Sequence, residues 1–168
     1  MAGKDDERDS WKAPRQPSSG GRFGAALEQL EAEVLAACSA NEAWPAQVAA
    51  GIYAGVDFVT ENPELARDWV VDTASNIHYR SQYEWVIARM TQLIRMRAPI
   101  DARLPASSDE ALVAGIVGLV GDHVRIGRLE RLAELRPELV QLTLLPYLGF
   151  VESRHWANQV AGRDPGPA

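Results

Sequence analysis

Few residues of this chain have types and spacing that could do chemistry. Glu152-x-x-His155 is the i, i+3 pair found in binuclear-iron bundles, where both side chains leave one helix face and reach one metal. Such a centre needs two of these pairs and two further inward glutamates, and the sequence supplies one pair, so no metal site is expected. Gly115-x-x-Gly118-x-x-Gly121 is glycine-rich, but its spacing is not that of the dinucleotide fingerprint, no strand precedes it and it lies inside a helical pattern. There is no phosphate-binding P-loop, no Gly-x-Ser-x-Gly elbow and no His-Glu-x-x-His pair. Cys38, the single cysteine, sits at helical spacing among apolar residues with no base beside it, and reads as core. The expectation is a chain that is not an enzyme and uses no cofactor; a metal-binding or enzymatic helical bundle is the competing class, which metal analysis would detect.

What remains is binding chemistry. Trp44, Trp69, Tyr79 and Tyr83, with Met90 and His123, fall on stripes expected to face inward. Buried Tyr and Trp need partners for their polar tips, and several converging between helices suit a mainly apolar pocket with a few orienting groups. Ile52, Val56, Trp69, Tyr79, Tyr83, Met90 and His123 are the candidate lining. His123 is either a core histidine satisfied locally or a polar contact to the ligand. His78, beside Trp85 on one flank of its helix, is either half-exposed or able to reach a cavity.

The elements that must position these residues are all helical in pattern. Apolar residues recur at helical spacing over about 24–40, 42–61, 63–73, 76–97, 109–131 and 137–148, with a seventh stretch at about 152–161. Asn41 is expected to cap the second helix and Asn62-Pro63-Glu64 to open the third. Ser107-Ser108-Asp109-Glu110 has the form of a capping box opening the fifth. Asp57 points away from its helix's inward stripe, as a solvated carboxylate would. No hairpin turn or alternating strand pattern occurs. The class is all-α: an unstructured tail over 1–22, one helical domain over 23–163 and an unstructured end over 164–168. The net charge of −6 argues against a phosphate-binding surface. One cysteine, no secretory leader and no apolar run near the ~20 residues of a membrane span point to a cytoplasmic protein with no membrane partner.

The fifth and sixth helices are unusual. Leu112, Ile116, Leu119, Val120, His123 and Ile126 form one stripe of the fifth; Ala111, Ala114, Gly115, Gly118 and Gly121 form a smooth second one. Interior glycines each cost roughly 0.8–1 kcal/mol relative to alanine, so something must press closely on that smooth face. The sixth helix carries Leu139, Val140, Leu142, Leu144, Leu145, Tyr147 and Leu148 all round its axis, and a helix apolar all round must be covered all round. A second copy of the chain is the expected cover, with Gly115, Gly118, Gly121, Leu142 and Leu145 in a four-helix dimer seam.

From Leu27 to Ala161 the chain resembles the C-terminal effector-binding and dimerisation domain of the tetracycline-repressor (TetR) family. Phe58-Val59-Thr60-Glu61-Asn62-Pro63-Glu64-Leu65-Ala66-Arg67 is similar to the break before the family's sixth helix, and the long fourth helix here ends in a proline-bounded loop. Glu110-Ala111-Leu112-Val113-Ala114-Gly115-Ile116, Leu135-Arg136-Pro137-Glu138-Leu139 and Leu145-Pro146-Tyr147-Leu148-Gly149 resemble the opening of the eighth helix, the turn that follows and the close of the ninth. The resemblance implies a homodimeric transcriptional regulator that senses a small hydrophobic or aromatic effector. The family's helix-turn-helix is absent from this chain, so no DNA-binding residues are expected and DNA is a partner only if a reader comes from another chain or a missing segment. A stand-alone interaction module, or a ligand buffer that heterodimerises with an intact regulator, is the alternative.

Overall fold

The computed structural model describes residues 22–75, 77–99 and 103–161, and the side chains of 22–23, 71–79 and 160–161 stand outside that description. The described residues form six helices and no strand: α1 (Arg22–Ser39), α2 (Trp44–Glu61), α3 (Pro63–Ser75), α4 (Ile77–Arg97), α5 (Ala106–Arg125) and α6 (Glu130–Ala161). The expected unstructured ends, apart from Arg22, lie outside the described residues. No helix among the described residues is long and apolar enough to cross a membrane.

The breaks between helices have local causes. Asn41 does not cap α2: its side chain donates to the Ala37 carbonyl (3.1 Å) and its N–H to that of Cys38 (3.2 Å), so it closes α1. α2 opens after an extended Ala43, with Pro45 in its first turn, where a missing N–H costs nothing. Asn62 serves two helices. Its amide donates to the last-turn Phe58 carbonyl (2.9 Å), and its own carbonyl accepts the Ala66 N–H (3.0 Å) that starts α3. α5 stops at Arg125, short of the expected end near 131, because Gly127 takes φ +70°. There the Gly127 N–H donates to Val124 O (3.1 Å) and the Arg128 N–H to His123 O (2.9 Å), a Schellman closure that satisfies two of the orphan carbonyls.

α6 begins at Glu130 and runs through Pro137, where the sequence suggested a turn, and on through Pro146. Each proline removes the bond to the carbonyl four residues earlier. Those carbonyls belong to Ala133 and Leu142, both exposed, so the deficit falls on the wet side of the helix. Gly149 (φ 75°, ψ 176°) breaks the run, and the stretch beyond it is the expected seventh helix, set off from the first part of α6 by that kink.

α2 is the central element, packed between α1 and α6, while α3, α4 and α5 pack on one another and α5 returns to α6. Three buried clusters result. Trp44, Val48, Ala49, Val140 and Leu144 join α2 to α6. Val56, Ala66, Val124, Leu132 and Leu139 form the second, and Leu27, Trp85 and Val86 join α1 to α4. They surround a space that none of them fills.

Candidate ligand-binding site

That space begins with two glycines one turn apart on α2. A Cβ at Gly51 would stand 2.9 Å from Cys38 Sγ, so glycine here lets α1 close onto α2. Among the described residues a Cβ at Gly55 would meet no heavy atom within 4 Å beyond its own helix's backbone. The same helix face thus clamps α1 at one point and leaves a gap at the next. The gap is a cavity of about 180 Å³ reached by all six helices. α2 gives Val48, Ile52, Val56 and Val59; α1 gives Leu30, Val34 and Cys38; α3 gives Trp69. α4 contributes Val86, Met90, Leu93, Ile94 and Arg97, and α5 contributes Val113, Ile116, Val117 and Val120, each set at the spacing of one helical face. Leu139 and Thr143 of α6 close it.

The wall is hydrocarbon except near one end. The Thr143 hydroxyl donates to Leu139 O within its own helix (2.7 Å). Cys38 Sγ donates to Gln47 O (3.2 Å), and Gln47 Nε2 donates to the carbonyls of Asn41 (2.8 Å) and Glu42 (3.3 Å). Burial pushes the Cys38 thiol above its ordinary value, against smaller downward pulls from the Arg97 charge and a backbone hydrogen bond. At neutral pH it is a thiol and not an activated nucleophile.

Of the residues singled out from sequence, Ile52, Val56, Trp69 and Met90 stand on this wall, as does Trp44. Tyr83 does not; its ring lies against Trp69, centroids 6.1 Å apart. The side chains of Tyr79 and His78 lie outside the described residues. His123 is off the wall, with Nδ1 3.0 Å from its own helix's Leu119 carbonyl. The cause is a rotation of α5 by about a quarter turn from the Leu112–Ile126 stripe. Val113, Ile116, Val117, Val120 and Val124 face inward, and Leu119 and Ile126 are 38% and 50% exposed. Gly115 and Gly118 face solvent with open space beside them, but Gly121 is turned inward, where a Cβ would meet Val70 at 3.7 Å. Leu142 and Leu145 are exposed. Glu152 and His155 are exposed and bond along their own helix to Trp156 and Gln159. No group of three or more His, Cys, Asp or Glu that could hold a metal occurs among the described residues.

Two polar clasps were not legible as such. Asp109 is no capping residue, since α5 starts at Ala106 without a side-chain cap. It is 1% exposed, paired with Arg95 of α4 and accepting the hydroxyl of Tyr147 of α6. Its signal was available: Asp109, Val113, Ile116, Val120 and Val124 share one stripe, and an acid on an apolar stripe demands a partner. Asp57 is likewise not simply solvated. It pairs with Arg136 of α6, whose guanidinium lies 5.2 Å from the Tyr53 ring centroid. Comparison with protein-family models, curated proteins and solved structures found no match.

Proposed function

We propose that this chain is a ligand-sensing domain that takes a small, mainly apolar molecule into the cavity between its helices. The observation that carries the reading is the wall itself: six helices contribute to about 180 Å³ of space lined almost wholly by hydrocarbon. An apolar cavity of about 150 Å³ in another protein stays dry and binds benzene. Sequence supports the wider reading of a tetracycline-repressor-like regulator, through the stretches around Asn62-Pro63, Glu110–Ile116 and Leu145–Gly149. In that reading the exposed faces of α5 and α6 pair with a second copy, and occupancy of the cavity biases the placement of α1, which forms one of its walls.

The test uses Gly55→Leu. Its side chain enters the open space and removes the cavity, and leucine is the better helix former. Indole and toluene should raise the melting temperature of the native chain and alter the fluorescence of Trp44 and Trp69, both on the wall. The variant should keep its helical circular dichroism and lose the response. A native chain unmoved by either compound, or a variant that responds equally, overturns the reading.

A further inference from the structure

We propose that the ligand is an amphipathic anion: an apolar body seated among the valines and leucines, with a carboxylate held at the cavity mouth by Arg97. The inference rests on the cavity reading above and adds the chemistry of the ligand's head.

Arg97 is the one exposed residue among the described residues that line the cavity, so it marks where the space meets solvent. Among the described residues no Asp or Glu lies on the wall. Among the described residues Arg97 makes no ion pair, whereas Arg95, two residues earlier on the opposite side of α4, is engaged by Asp109. A cation at the end of a helix is favoured by the helix dipole, which accounts for a basic residue in the last turn of α4 but not for its position on an apolar wall. Among the described residues the other polar groups on the wall leave nothing else to recognise a head group: the Trp44 indole donates to Ile94 O (3.3 Å), and the Trp69 indole nitrogen is closed to any atom the size of water. Thr143, the Cys38 thiol and the Gln47 nitrogen have partners. Gln47 Oε1 has none, but it is closed to any atom the size of water, so a neutral hydroxyl cannot reach it. The guanidinium, with several donors in a planar fork, fits a carboxylate, and its charge already acts on Cys38 at the same end. The volume of about 180 Å³ admits an aromatic ring and a short chain, which makes aryl and short-chain carboxylic acids the class.

Isothermal titration of the full chain with 3-phenylpropionate and with 3-phenylpropan-1-ol separates head from body. The native chain should bind the acid more tightly, and raising salt should weaken the acid alone. Arg97→Gln, an exposed change whose fold is checked by circular dichroism, should lose about fivefold in affinity for the acid and leave the alcohol unchanged. Gly55→Leu should abolish both. If the native chain binds the alcohol as well as the acid, or Arg97→Gln weakens both alike, the anionic head is overturned while the cavity reading stands. If neither compound binds, or the acid still binds Gly55→Leu, the cavity reading fails and this inference fails with it.

Discussion

At the scale of single residues, the most informative group is Asp109. A carboxylate 1% exposed is tolerated only because Arg95 and Tyr147 supply charge and a hydrogen bond from two other helices. Tyr147→Phe removes one of these while leaving the ring against Trp44, 5.1 Å away in an edge-on contact. Hydrogen bonds to charged groups contribute about 1.5–3 kcal/mol; with Arg95 retained, a loss of about 1.5 kcal/mol is expected in urea denaturation. The same residue sets a pH dependence. Burial first, then the hydrogen bond to Asp109 and the charge of Asp109, hold the Tyr147 phenol above its ordinary value of 10.0. The folded chain therefore keeps this proton more tightly than the unfolded one. Its contribution to stability is complete below about pH 10 and is lost as pH rises beyond it. Tyr147→Phe should lose stability less steeply than the native chain between about pH 10 and 11.5, and parallel curves would rule this out.

At the scale of elements, helices were legible and their rotations were not. The break at Asn62-Pro63 is written in residues whose backbone chemistry permits little else. The rotation of α5 is different, because that helix is apolar on two sides. Leu112, Leu119 and Ile126 outweigh Val113, Val117 and Val124 in hydrophobicity, yet the valines face inward, and the acid that would have fixed the choice, Asp109, resembled a cap. The missed stop at Gly127 and the continuous helix through Pro137 have the same origin: one glycine in the left-handed region ends a helix, and one proline on a wet face does not. Gly149 tests this directly. Its φ of 75° is open to glycine and strained for any L side chain, so Gly149→Ala should cost about 2 kcal/mol in thermal or urea unfolding. An alanine variant as stable as the native chain would mean that the kink relaxes into a continuous helix.

At the scale of the whole molecule, the cavity was legible only in part because it is made by what is missing. Ile52, Val56, Trp69 and Met90 could be placed on inward stripes one helix at a time. Gly55, which leaves the gap, and Arg97, at its mouth, acquire meaning only when six helices meet. The outer surface poses a complementary question. Gly115 and Gly118 sit mid-helix in α5, exposed, and among the described residues nothing beyond their own helix's backbone comes within 4 Å of where a Cβ would stand. Each costs the lone helix roughly 0.8–1 kcal/mol relative to alanine, and Leu119, Leu142 and Leu145 stand exposed on α5 and α6. The proposed pairing of these faces between two copies explains both features, since close helix approach needs small residues and exposed leucines need cover. Gly118→Phe discriminates well, because the open space around Gly118 makes a large side chain harmless to a single chain. The native protein should sediment as a dimer at micromolar concentration, and Gly118→Phe, like Leu142→Glu combined with Leu145→Glu, should sediment as a monomer with unchanged helical circular dichroism. A native monomer, or a Gly118→Phe variant that remains a dimer, would place the interface elsewhere.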